Sequence, residues 1–80
     1  MKLVEARARR ALSVRELSKQ ARVAARTIYA IEHGEVSPSL ATIRKLSAVL
    51  GIEPVDVDEF RVTIERIVGG EMGRAALALS

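Results

Sequence analysis

The chain has 80 residues, no cysteine, one histidine and two aromatic residues, with 13 Lys and Arg against 10 Asp and Glu. Eighty residues suit one domain with a small core, since a chain of this size buries only roughly 60% of its unfolded surface. The absence of cysteine excludes disulfides and thiolate metal sites, and no run of eighteen apolar residues offers a membrane span.

The net charge of +3 is unevenly spread. Residues 1–45 carry ten Lys and Arg against four Glu, whereas residues 46–80 carry three Arg against six acids. A basic half joined to an acidic half suits one face that meets a polyanion and another that meets protein or water. The plainer alternative is that charged helices need solvated faces. The N-terminal Met-Lys-Leu-Val-Glu-Ala-Arg carries charges where a secretion signal needs an apolar core, so a cytoplasmic protein is expected.

Taken in order, residues 2–10 place Val4 and Ala8 on one helical face. Ser13 followed by Glu16 is a capping box, which predicts a short second helix over about Val14–Ala21, with Leu17 and Ala21 turned inward. A third helix is predicted from about Ala24, because Ile28 and Ile31 repeat at helical spacing and Gly34 supplies a stop. Only Arg22 and Val23 separate these two helices. Residues 34–39 read as a loop, Ser39 caps a fourth helix over Leu40–Leu50, and Gly51 ends it. From Pro54 a fifth helix is expected, with Val57, Phe60, Ile64, Ile67 and Val68 on one face and Gly69-Gly70 ending it near residue 68. A strand template over Phe60–Val68 competes, but Arg66 breaks its alternation. Residues 71–80 are expected to form a mobile tail, whose small apolar end could be read by a protease or pack on a partner.

Arg7, Leu12-Ser13, Leu17, Val23, Thr27-Ile28, Ile31-Glu32, Gly34, Pro38-Ser39-Leu40, Ile43, Leu46 and Leu50-Gly51 fall at fixed gaps. Over about residues 1–60 the chain resembles the phage-repressor (Cro/XRE) helix-turn-helix family in these positions. The resemblance implies an all-α, five-helix, lambda-repressor-like DNA-binding bundle over 1–60. A C-terminal extension, 61–80, would follow. It also implies a third helix, about 24–33, in the major groove of double-stranded DNA, within a symmetric homodimer. A salt bridge between Arg7 and Glu32 is implied in the same way, fixing the angle of the third helix against the first. The sequence departs from the family at Arg22, where a glycine is usual, at Val14 and Ala24, where polar residues are usual, and at Glu35, where basic residues are common.

With Ile28 and Ile31 turned to the core, Arg26, Tyr29, Ala30 and His33 face outward, with Ala25 beside them. Ala25, Arg26, Tyr29 and Ala30 are the expected base contacts. A guanidinium can bond guanine O6 and N7 together, worth about 1–3 kcal/mol of discrimination. Ser13, Val14, Arg15, Arg22, Thr27, His33, Ser37 and Ser39 are the expected phosphate contacts, through helix N-termini, hydroxyls or charge. Arg9, Arg10 and Arg44 would add charge if they face the duplex. For each of these the bland alternative is a solvated or half-packed surface residue. A seam of Phe60, Ile64 and Ile67 is expected to pair two copies. No metal or other cofactor is implied, because His33 stands alone, and no Ser/His/Asp set or phosphate-cradling glycine loop suggests an enzyme. No small-molecule sensing domain is expected. The reading is a sequence-specific transcriptional regulator, a repressor by preference. The alternative is an antitoxin or adaptor whose acidic C-terminal part grips a protein.

Overall fold

Capping signals and apolar spacing decide the architecture. The computed structural model describes the backbone of residues 1–79 and the side chains of residues 1–70. The helices are α1 (Leu3–Arg9), α2 (Val14–Ala21), α3 (Ala25–Glu32), α4 (Leu40–Leu50) and α5 (Asp58–Leu79), with a 3-10 turn at Pro54–Asp56. The described residues contain no strand, so the fold is all-α.

The α2 start is closed reciprocally. The Ser13 hydroxyl accepts from the Glu16 amide at 3.1 Å, and the Glu16 carboxylate accepts from the Ser13 amide at 3.1 Å. At its other end Arg22 adopts the left-handed conformation, with φ 57 and ψ 44. The amides of Arg22 and Val23 both donate to the Ser18 carbonyl. Arginine therefore takes the left-handed position of the turn, a strained conformation for a residue with a Cβ. Ala11 does the same between α1 and α2, at φ 54, which no local sequence signal announces. Gly34 and Gly51 close α3 and α4 at φ 72 and 64.

Leu3, Leu17, Ile28, Ile31, Leu46, Leu50, Val57 and Phe60 are the largest fully buried side chains, drawn from α1 to α5. Each helix contributes one stripe, so removing any one would expose the others. The ends of the chain's globular part also meet. The Leu3 amide donates to Glu59 at 2.9 Å, and the Asp58 amide donates to the Met1 carbonyl at 2.7 Å. A carboxylate from α5 thus serves as the N-terminal cap that α1 lacks from its own Lys2.

One expectation about the C-terminal part holds and one changes. Residues 61–68 are helical, as expected, and the competing strand template fails. The helix also runs through Gly69-Gly70, which had been expected to stop it, and is described to Leu79. Neither glycine takes a positive φ. A helical glycine costs about 1 kcal/mol relative to alanine, and the good helix formers Glu71 and Met72 follow the pair. The side chains of the anticipated tail, from Glu71 onward, and all of Ser80 lie outside the described residues.

Candidate nucleic-acid interface

The α3 helix divides into two faces. Ile28 and Ile31 are fully buried. Arg26, Tyr29 and His33 are exposed on the other side, and Ala25, Thr27 and Ala30 are half-buried. Ala25 packs partly against the core, so its methyl is only partly available outside. Tyr29 and His33, one turn apart, meet edge to face with ring centres 6.5 Å apart. The outward face thus presents one guanidinium, one phenol and one imidazole, with an alanine methyl between them.

This helix is held at its far end by Arg7. Its Nε donates to Glu32 Oε2 at 2.9 Å and its Nη2 donates to Glu32 Oε1 at 3.2 Å. Nη1 donates to the Leu12 carbonyl at 3.0 Å. The side chains are 17% and 8% exposed, so the pair is largely withdrawn from water. A planar, forked cation meets a carboxylate with two bonds and the α1–α2 turn with a third, which fixes orientation as well as distance.

The expected phosphate contacts lie on α2, α3, α4 and the turns before them. The Val14 side chain is buried in the core, so only its amide faces outward. The amides of Val14 and Arg15 make no hydrogen bond among the described residues. These are the orphan donors of a helix N-terminus, which attract anions. Ser13 uses its hydroxyl oxygen as an acceptor from the Glu16 amide. At α4, Ser39 accepts from the Thr42 amide at 3.2 Å and donates to Thr42 Oγ1 at 3.1 Å. Its hydroxyl is therefore engaged in capping, and the free donors of this helix are the Leu40 and Ala41 amides. Ser37, Arg15 and Arg22 are exposed. Arg9 is paired with Glu5 at 3.1 Å, Arg10 lies over Gly51, and Arg44 lies in a groove beside α5.

The hydrogen bond from the Ser13 amide, then that from its hydroxyl, holds the Glu16 carboxyl below its ordinary value. Among the described residues no three His, Cys, Asp or Glu gather as metal ligands, and no helix is long and apolar enough to cross a membrane.

The expected pairing seam needs correction at Phe60. It is fully buried in this chain's own core, so it has no surface to offer a second copy. Helical spacing places Phe60, Ile64 and Ile67 on one face but does not say where the bundle ends along that face. Ile64 and Ile67 are half-buried. Ile64 lines a shallow apolar groove with Leu40, Ile43, Arg44 and Pro54.

One contact had no signal in the sequence. Thr63, in α5, donates its hydroxyl to the Pro38 carbonyl at 2.8 Å, in a buried position.

Comparison with known proteins agrees with this arrangement. A family model described as helix-turn-helix, of the Cro/C1 type, matches residues 3–57, from the start of α1 through the 3-10 turn. No curated protein and no solved structure matches the chain. The match spans more than half of the sequence and contains the turn at Arg22 and the whole of α3. The chain belongs to the Cro/C1 (XRE) type of helix-turn-helix family, whose members are DNA-binding transcription regulators.

Proposed function

We propose that the protein is a sequence-specific repressor that binds double-stranded DNA as a homodimer, in the cytoplasm, with α3 in the major groove. One observation carries the reading. The outward face of α3 shows Arg26 and Tyr29 to solvent while its inward face and its C-terminal end are locked by Ile28, Ile31 and the Arg7–Glu32 pair. A reading surface must be exposed and rigid together, and this face is both.

Arg26 is the main base reader, taking guanine O6 and N7, with Tyr29 and Ala30 packing against thymine methyl groups. Ser13, the Val14 and Arg15 amides, Arg22 and Ser37 hold the phosphates on either side, with Thr27 and His33 at the margins. So few base-reading groups leave much of the selectivity to spacing and DNA shape. Two copies paired through Ile64 and Ile67, along the groove that includes Leu40 and Pro54, set two α3 helices about 34 Å apart. Occupying the groove excludes other proteins from it, which is the simplest route to repression.

The competing reading is an adaptor or antitoxin that uses the acidic half to hold a partner protein. The exposed Val55, Val62 and Val68 among acidic residues favour keeping it. Binding to random and to selected duplexes across a salt series separates the readings. Preference for selected duplexes with a steep salt slope supports the repressor. A slope without preference leaves only generic attraction to a polyanion, and no slope favours the adaptor.

A further inference from the structure

The loop between α3 and α4 leads into the N-terminus of α4, an expected phosphate contact, and few hydrogen bonds hold it. Gly34 and Glu35 are tied back to α3 through their amides. Beyond them, the segment Val36, Ser37 and Pro38 makes a single hydrogen bond among the described residues, the one accepted by the Pro38 carbonyl from Thr63. Pro38 has no amide to give, and the Val36 backbone makes no hydrogen bond among the described residues. Thr63 is 8% exposed and belongs to α5, outside the segment 3–57 that defines the family. The residue after Pro38 is Ser39, the cap that orients the first turn of α4 and its free Leu40 and Ala41 amides.

We propose that Thr63 is a positioning residue for DNA binding: by holding the Pro38 carbonyl it sets where Ser37 and the amino end of α4 meet the duplex backbone. This rests on the DNA-binding reading above. The anchor, the proline and the cap are consecutive in space, so a shift of the carbonyl moves the cap and its amides together. Pro38 carries little of its own freedom, because its ring fixes φ, and the motion is therefore passed on and not absorbed. Valine at position 63 keeps the shape of threonine and removes the donor, which leaves a buried carbonyl unpaired. Serine keeps the donor and loses only a methyl.

The test uses the whole chain, as parent, Thr63→Val and Thr63→Ser, each assayed on its selected duplex over a salt series at a temperature where all three are folded. The expected result is that Thr63→Val binds several-fold more weakly, that its slope of log affinity against log salt is shallower by about 0.9, one phosphate's worth, and that the preferred sequence is unchanged. Thr63→Ser restores the parental slope. A Thr63→Val protein with a lower melting temperature but the parental slope and affinity overturns the proposal, as does a serine variant that behaves like valine. A parent that binds no duplex sinks the DNA-binding reading itself and the role of Thr63 with it, whereas a parental slope that survives Thr63→Val sinks only the latter.

Discussion

The Arg7 guanidinium in α1 and the Glu32 carboxylate that ends α3 are joined by two hydrogen bonds, at 2.9 and 3.2 Å, across a sequence gap of 25 residues. The pair sits between the helix that supports the bundle and the helix that faces outward. Its value lies in orientation more than in net stabilisation, since taking two charges from water offsets much of their attraction. Arg7→Ala leaves Glu32 largely buried without its cation, and is expected to destabilise the protein by about 3–5 kcal/mol. Arg7→Met with Glu32→Leu should lose less than Arg7→Met alone, because neither charge is then stranded. Denaturant unfolding of the variants checks both statements. An Arg7→Ala protein that unfolds with the parent means the pair contributes nothing to the packing of α3.

Arg22 invites a prediction with two opposite signs. Its left-handed conformation is unfavourable for a residue with a Cβ, and glycine adopts it freely. Arg22→Gly should raise stability by about 1 kcal/mol. The same change removes an exposed cation beside the reading helix, so affinity for DNA should fall and the salt slope should become shallower. Ala11→Gly relieves the same kind of strain and removes no charge. It should stabilise without altering DNA binding. A glycine at 22 that leaves stability unchanged would show that the arginine side chain supplies compensating contacts.

The capping box gives a pH dependence whose sign follows from Glu16. Its folded carboxyl is held below the ordinary 4.5, so its contribution is present above that value and is lost as pH falls through the lowered folded value. Glu16→Gln should therefore be less stable than the parent at neutral pH. The gap should close as the solution is acidified below 4.5. Urea unfolding of both proteins over a pH series measures the gap. A gap that stays constant down to about pH 3 would mean that the Glu16 charge is not what the cap uses.

Phe60 and Ile67 share a helical face but should answer differently. Phe60→Ala opens a cavity in the protein's own core and is expected to cost about 3–5 kcal/mol at any protein concentration. Ile67→Glu should leave the melting of a single copy nearly unchanged and weaken pairing by roughly tenfold or more, about 1.4 kcal/mol. Sedimentation over a dilution series separates these effects. An Ile67→Glu protein that pairs like the parent places the seam elsewhere.

Much of the fold was legible because its signals are local. Ser13 with Glu16, Ser39 before Leu40, and the glycines at 34 and 51 each act over three or four residues, and they set the ends of α2, α3 and α4. The division of α3 into Ile28 and Ile31 within and Arg26, Tyr29 and His33 without follows from the helical period alone. What escaped was non-local. Period places Phe60 on a face and cannot tell this chain's core from another copy's surface. Gly69-Gly70 looks like a stop, yet whether a glycine ends a helix depends on whether the chain turns there, and here it does not. The Thr63–Pro38 bond joins residues 25 apart, and nothing near either residue points to the other. Ala11 takes a glycine's conformation because the turn it closes is fixed by the helices on both sides.

The central claim is that the outward face of α3 reads bases, with Arg26 as its principal reader. Selecting binding sites from a random duplex pool with the parent and with Arg26→Ala tests it most directly. The account predicts paired half-sites for the parent, with a guanine preference at one position of each, and loss of that preference alone in the variant, at about 1–3 kcal/mol per half-site. Identical selected sites for the two proteins, or a uniform loss across all sequences, would contradict it and leave Arg26 as a phosphate contact.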